Sequence, residues 1–222
     1  MSYLIVLPSI HPPSTERCLA GMAPALKDRL LLVDNSTLNR GLAASWNLGA
    51  RVVLDQRLDW LVILSAGTRF GPAGGEDFVA LLDRYDGVST WVIESEAPVN
   101  QHLMAWSRPM LEGIGLVDCN FFPIYLDEAD ACRRVHVAQA EGWGGEWEKE
   151  PVDAWVTMVG HATKLAGVRY DWDRSLNYYL SKWGGRSGDE RFARPFNDPN
   201  LPLWFWPVPP DPRAVEHEGW GR

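Results

Sequence analysis

Residues 113–134, GIGLVDCNFFPIYLDEADACRR, hold the side chains best suited to moving a proton. Asp127, Glu128 and Asp130 crowd three carboxyl groups into one short run, directly behind the aromatic residues Phe121, Phe122 and Tyr125. Neighbouring carboxylates repel one another, and an apolar flank raises the cost of ionising them. A carboxylate in such a place becomes basic enough to take a proton near neutral pH. The same acids also fit a plainer role, the first turn of a helix over 127–140 whose positive end they stabilise. What the rest of the chain sets beside them decides between the two.

The elements that must position these groups read as alternating strands and helices. Residues 3–7 form a short apolar run suited to a buried strand, followed by a turn over 8–14 and a helix over 16–26 with Thr15 as its cap. Residues 30–33 are a second strand, ended by the turn cluster Asp34-Asn35-Ser36-Thr37. Helical spacing over 41–54 precedes a third strand, DWLVIL at 59–64, which Ser65-Ala66-Gly67 breaks. A helix over 75–85 and a strand over 87–94 complete an α/β domain with a mixed, mostly parallel central sheet flanked by helices. Such sheets bind ligands beyond the carboxyl ends of their strands, where Asp34 and Ser65-Ala66-Gly67 fall.

Beyond residue 94 the pattern loosens. It suggests a strand at 103–106, a short helix at 109–113, a flexible loop over 142–151 (GWGGEWEKEP), a strand over 152–159 and a helix over 176–182 closed by Gly184-Gly185. Residues 1–187 read as one domain. Residues 188–222, rich in Pro and Trp, read as a tail packed on it, poorly ordered over 208–222.

Composition narrows the function. The 222 residues carry a net charge of −8, which argues against binding nucleic acid or an anionic membrane, because a phosphate partner needs clustered Lys and Arg. No apolar run is long enough to span a bilayer, and the first residues lack a basic leader. Three cysteines without metal-site spacing suit a reducing, cytoplasmic compartment. Twelve tryptophans are many for this length, and an exposed indole is a surface on which a sugar ring stacks.

Taken in order over residues 3–185, these blocks resemble the family 2 glycosyltransferases of the GT-A fold. The strand ending in Asp34-Asn35-Ser36 resembles the family's strand with an acidic turn. Asn39-Arg40-Gly41 and Asn47-Leu48-Gly49 resemble its two N-x-G steps, and DWLVILSAGTRF at 59–70 stands where the family carries a metal-binding D-x-D. The 113–134 stretch resembles the acidic signature that ends in Arg, His161 matches a late histidine, and Tyr178-Tyr179 with Lys182-Trp183-Gly184-Gly185 resembles the Y-Y-x-x-K-W-G-G ending.

The resemblance implies a hexosyltransferase acting with inversion on a UDP-, GDP- or dTDP-sugar, with a glycan, lipid, protein or small molecule as acceptor. Glu128 then holds the base's position, with Asp127 as the alternative, since their order is reversed from the usual pair. Pro8, Ser9, Asp34, Asn39, Asn47, Ser65, Ala66, Gly67, Arg69 and Lys182 fall on the donor side. Trp106, Asp130 and Trp143 fall on the acceptor side, with Asp130 pointing elsewhere on the helix to orient Arg133 or Arg134 instead of reacting. The D-x-D itself is degenerate, because Ser65-Ala66-Gly67 offers no carboxylate to Mn²⁺ or Mg²⁺. Three possibilities follow from that. Catalysis proceeds without metal through Arg69, Lys182 or backbone N–H groups; His161 and substrate oxygens hold a weak ion; or the chain is a catalytically inactive nucleotide- or glycan-binding module.

Overall fold

The computed structural model describes residues 1–96, 102–152, 154–156 and 162–207. In chain order its strands are β1 (Tyr3–Ser9), β2 (Leu30–Asp34), β3 (Trp60–Leu64), β4 (Thr68–Phe70), β5 (Thr90–Ser95), β6 (Leu103–Ser107), β7 (Glu146–Glu150) and β8 (Ala154–Val156). The helices are α1 (Pro12–Gly21), α2 (Pro24–Lys27), α3 (Leu42–Gln56), α4 (Glu76–Leu82), α5 (Arg108–Ile114), α6 (Asp127–Ala140), α7 (Ala162–Leu165) and α8 (Trp172–Trp183). Six strands form one sheet in the order β2-β1-β3-β6-β5-β7, and β4 pairs with β8 in a second. Strand β1 runs parallel to both neighbours and β5 runs parallel to β7, while β6 is antiparallel to β3 and β5. The sheet is therefore mixed and mostly parallel.

Strand alternation sorts the core onto two faces. Val6, Leu61 and Ile63 join Trp46, Trp106 and Ile114 on the face covered by α3, α5 and α6. Ile5, Leu7, Val62 and Leu64 join Cys18, Leu26 and Phe78 under α1, α2 and α4 on the other. With both faces covered, β3 is buried along its whole length, which is why WLVIL at 60–64 is continuously apolar instead of alternating.

Several elements differ from the sequence reading. Helix α1 opens on Pro12, with prolines in its first turn, so Thr15 lies inside it and donates to Ser9 Oγ instead of capping. The stretch expected as a flexible loop at 142–151 contains β7. Its polar sequence EWEKE suits a sheet edge, where charge discourages further pairing. Trp147 Nε1 donates to Glu94 Oε2 at 2.8 Å and fixes that edge. The expected strand over 152–159 is described only at β8. Beyond α8, the backbone N–H groups of Arg191 and Phe192 both donate to Trp183 O. Among the described residues, no helix is long and apolar enough to cross a membrane.

Candidate active site

A cleft of about 190 Å³ opens beyond the carboxyl ends of β1, β2 and β3. Pro8, Asn35, Ser65 and Ala66 line it from the strand ends, and Asn39, Gly41 and Trp46 line it from the approach and start of α3. The opposite wall is the turn into α6, with Pro123, Tyr125 and Glu128, together with Thr163 of α7. Gly41 has φ +81°, and a Cβ there would sit 2.7 Å from Phe122, so the two walls meet because residue 41 has no side chain.

The turn into α6 aims the carboxyl groups. Tyr125 and Leu126 both adopt left-handed backbone, with φ +82° and +68°, a costly conformation for side chains of this size. The helix starts immediately after it. Consecutive helical residues point about 100° apart, so Asp127 turns inward while Glu128 faces the cleft. Asp127 is fully buried, with the Glu128 carboxyl and the first-turn backbone N–H groups as the polar neighbours of its carboxyl. Burial first, and then the charge of adjacent Glu128, push its carboxyl well above the ordinary carboxylate range. Asp127 thus lies behind the wall with its carboxyl pushed toward the protonated form, and Glu128 is the acid that lines the cleft.

Asp130 does not reach the cleft. It lies with Asp118, Arg134 and Lys182 in a sealed cluster, every one of the four side chains at most 1% exposed. Lys182 Nζ lies 2.9 Å from Asp118 Oδ2 and 2.7 Å from Asp130 Oδ1; Arg134 Nε donates to Asp130 Oδ2 at 3.0 Å, and Trp183 Nε1 donates to Oδ1 at 2.8 Å. Asp130 is held below the ordinary range although burial, the largest influence, pushes the other way; Lys182 and Arg134 overcome it. This corrects two expectations. Lys182 is paired with buried carboxylates and Asp130 with Lys182 and Arg134, and neither lines the cleft.

The other expected residues divide. Pro8, Asn39, Ser65 and Ala66 line the cleft, with Asn39 Oδ1 holding the N–H of Gly41 at 2.9 Å. Ser9 is buried beneath the cleft, bonded to Thr15, and Ser65 Oγ accepts from the N–H of Gly67. Asn47 is a latch: its amide accepts from Val117 N and donates to Val117 O, both at 2.8 Å, so it positions the acidic stretch without meeting a ligand. Trp106 is fully buried, edge-on to Trp46 at 6.1 Å, and presents no face to a sugar. Trp143 is 55% exposed but packs beside Gly113, off the cleft wall. Asp34 is exposed and bonds the N–H of Ser36, and Arg69 donates to Thr68 O on β4; neither lines the cleft. His161 lies outside the described residues.

Of the cleft residues that escaped the sequence reading, two carry a buried polar atom without a hydrogen-bond partner. Asn35 is 3% exposed, donates from Nδ2 to Ser45 Oγ at 2.8 Å, and has an unpartnered Oδ1. Trp46 has an unpartnered Nε1. Strand alternation was the signal: Val33 is in, Asp34 out and Asn35 in.

Ser65, Ala66 and Gly67 present no anionic oxygen, and among the described residues no three His, Cys, Asp or Glu side chains gather to hold a metal. That donor set does not fit a hard divalent cation. All three cysteines are free, and burial pushes the Cys18 thiol up to about 12 and those of Cys119 and Cys132 up to about 11, which makes them poor nucleophiles.

No protein-family model and no curated relative matches the chain. Solved structures do. Glucosyl-3-phosphoglycerate synthase from Mycobacterium tuberculosis, solved with Mn²⁺, UDP and phosphoglyceric acid, is 13% identical with a TM-score of 0.50 over 75% of this chain and 74% of its own. Mannosyltransferase PcManGT from Pyrobaculum calidifontis, solved with GDP-Man and Mn²⁺, is 14% identical with a TM-score of 0.47 over 68% of this chain. The chain spans 55% of that mannosyltransferase's length. At these identities the likeness concerns architecture, and the architecture is that of the GT-A-type glycosyltransferases.

Proposed function

We propose that the chain transfers a hexose from a nucleotide-sugar donor to an acceptor hydroxyl, with inversion. The reading rests chiefly on Glu128, a cleft-facing carboxyl group backed by the buried Asp127 at the carboxyl ends of three strands. In the proposed step Glu128 takes the acceptor's hydroxyl proton while that oxygen bonds to the anomeric carbon. The bond to the nucleoside diphosphate breaks, and its electron pair leaves with the diphosphate. Asn35, Asn39, Ser65 and Trp46 supply polar contacts for the donor. The free thiols support a reducing, cytosolic setting. Residues 1–187 are the proposed transferase unit, with 188–222 as its tail.

Glu128→Gln tests the assignment. Transfer falls by orders of magnitude while the melting temperature holds; full activity in that variant sinks it. A second reading, a binding module without turnover, is favoured by the missing carboxylates at Ser65-Ala66-Gly67. Calorimetry with UDP, GDP and dTDP, paired with a turnover assay with and without Mn²⁺, separates them: tight binding and no turnover in either condition selects the module.

A further inference from the structure

Tyr125, Tyr170 and Trp172 form an aromatic cluster at the rim of the cleft. The Tyr125 ring lies 4.8 Å from that of Tyr170 and 5.8 Å from that of Trp172, edge-on to both at 67° and 68°. A T-shaped contact covers one face of one partner and leaves the others open, and Tyr170 and Trp172 are 47% and 45% exposed. Single exposed aromatics are ordinary, but three in contact at the rim of a cleft are not scattered surface residues. Each is held in place. Tyr125 stands in the left-handed turn that aims Glu128, and Trp172 opens α8, which Asp171 caps through the N–H of Arg174. Tyr125 belongs to both surfaces, walling the cleft beside Glu128 and anchoring the cluster outside it.

We infer that Tyr125, Tyr170 and Trp172 are an acceptor subsite that stacks on the C–H face of a pyranose ring, so that the acceptor is a carbohydrate. The inference rests on the transfer reading for its direction: a ring on this rim brings a hydroxyl toward Glu128 across Tyr125. A flat apolar face that also carries polar edges suits sugars, whose rings present C–H groups on one face and hydroxyls around the rim. Thr163 and the phenol groups of Tyr125 and Tyr170, which bond one another, border the rings with polar groups for those hydroxyls.

The test uses the full chain and saturation-transfer NMR with methyl β-glucopyranoside, methyl α-mannopyranoside and methyl β-galactopyranoside, with choline chloride as a cation probe. UDP and GDP binding is followed separately by thermal shift. At least one glycoside receives saturation on its ring C–H protons. Trp172→Ala and Tyr170→Ala, both with native melting temperatures, each weaken it up to about tenfold, the scale of one aromatic contact. Nucleotide binding stays unchanged in both. No saturation of any glycoside, undiminished saturation in both variants, or saturation of choline alone overturns the subsite. Glycoside binding by a chain that binds no nucleotide keeps the subsite and removes the transfer reading instead.

Discussion

The Nζ of Lys182 lies 2.7 Å from Oδ1 of Asp130, and neither side chain meets solvent. Asp118 and Arg134 complete a set of two cations and two carboxylates, balanced in charge and sealed under the ring of Trp206, which Lys182 Nζ approaches to 5.3 Å and Arg134 to 5.5 Å. The set joins α8 to α6 and to the loop before it, the loop Asn47 also latches. It therefore holds the helix that presents Glu128.

Lys182→Met is expected to cost about 3–5 kcal/mol, because it leaves two buried carboxylates with one cation between them. The pH dependence follows from Asp130. Its folded-state carboxyl is held below the ordinary range, so it contributes stability above its unfolded value and loses it as pH falls through the folded value. Urea unfolding at neutral and acidic pH checks this. The wild type loses part of its advantage over the variant on acidification; an unchanged neutral-pH stability in Lys182→Met contradicts the account.

Gly49 tests how closely α3 lies on the sheet. An added Cβ would meet Leu61 Cδ1 at 2.9 Å and Val6 Cβ at 3.0 Å. In an open helix Gly→Ala gains about 1 kcal/mol. Here Leu61 can shift its tip, but Val6 is fixed at its strand, and overpacking costs about 1–3 kcal/mol. Gly49→Ala is expected to lower stability by about 1 kcal/mol net, the reverse of its propensity. Thermal unfolding decides the sign.

Much of the fold was legible because continuous apolar runs such as 60–64 mark strands covered on both faces, and the turn residues at 34–37 and 65–67 mark strand ends. The cleft followed from those ends. Chain order could not reveal burial, however. Lys182 and Asp130 look like site residues on a sequence because both are charged and close to recognised blocks, yet each is the other's partner. Trp106 lies on β6, where the pairing to β3 and β5 on either side buries it. Strand β7 was missed because an edge strand takes its hydrogen bonds from one neighbour and needs no apolar alternation. The aromatic rim joins residues 125, 170 and 172, which only the folded chain brings together.

Asn35 and Asp34 stand side by side but face opposite ways, which makes them a test of the donor side. Asn35→Ala removes the unpartnered Oδ1 in the cleft and the hydrogen bond to Ser45, the latter worth about 0.5–1.5 kcal/mol of stability. The expected result is a weaker thermal shift by UDP or GDP, beyond what the lower melting temperature explains. Asp34→Ala, exposed and off the cleft wall, is expected to retain the nucleotide shift. The opposite ranking would return the donor contact to Asp34.

Asp127 is tested by pH, and Glu128 by activity. The folded-state carboxyl of Asp127 titrates well above its ordinary value, so the folded chain keeps a proton there at pH values where the unfolded chain has lost it. With more protons bound in the folded state, stability falls as pH rises from the ordinary carboxylate value through the folded one, by at most about 1.4 kcal/mol per pH unit. Asp127→Asn keeps the shape and has no proton to lose. Its stability relative to the wild type is therefore expected to be level in acid and to grow as pH rises over that window. Transfer is expected to survive in Asp127→Asn, since the side chain lies behind the cleft wall and its carboxyl is pushed toward the protonated form, and to collapse in Glu128→Gln. If the two variants lose activity alike while the stability difference stays flat with pH, Asp127 is ionised in the folded protein and shares the base's work.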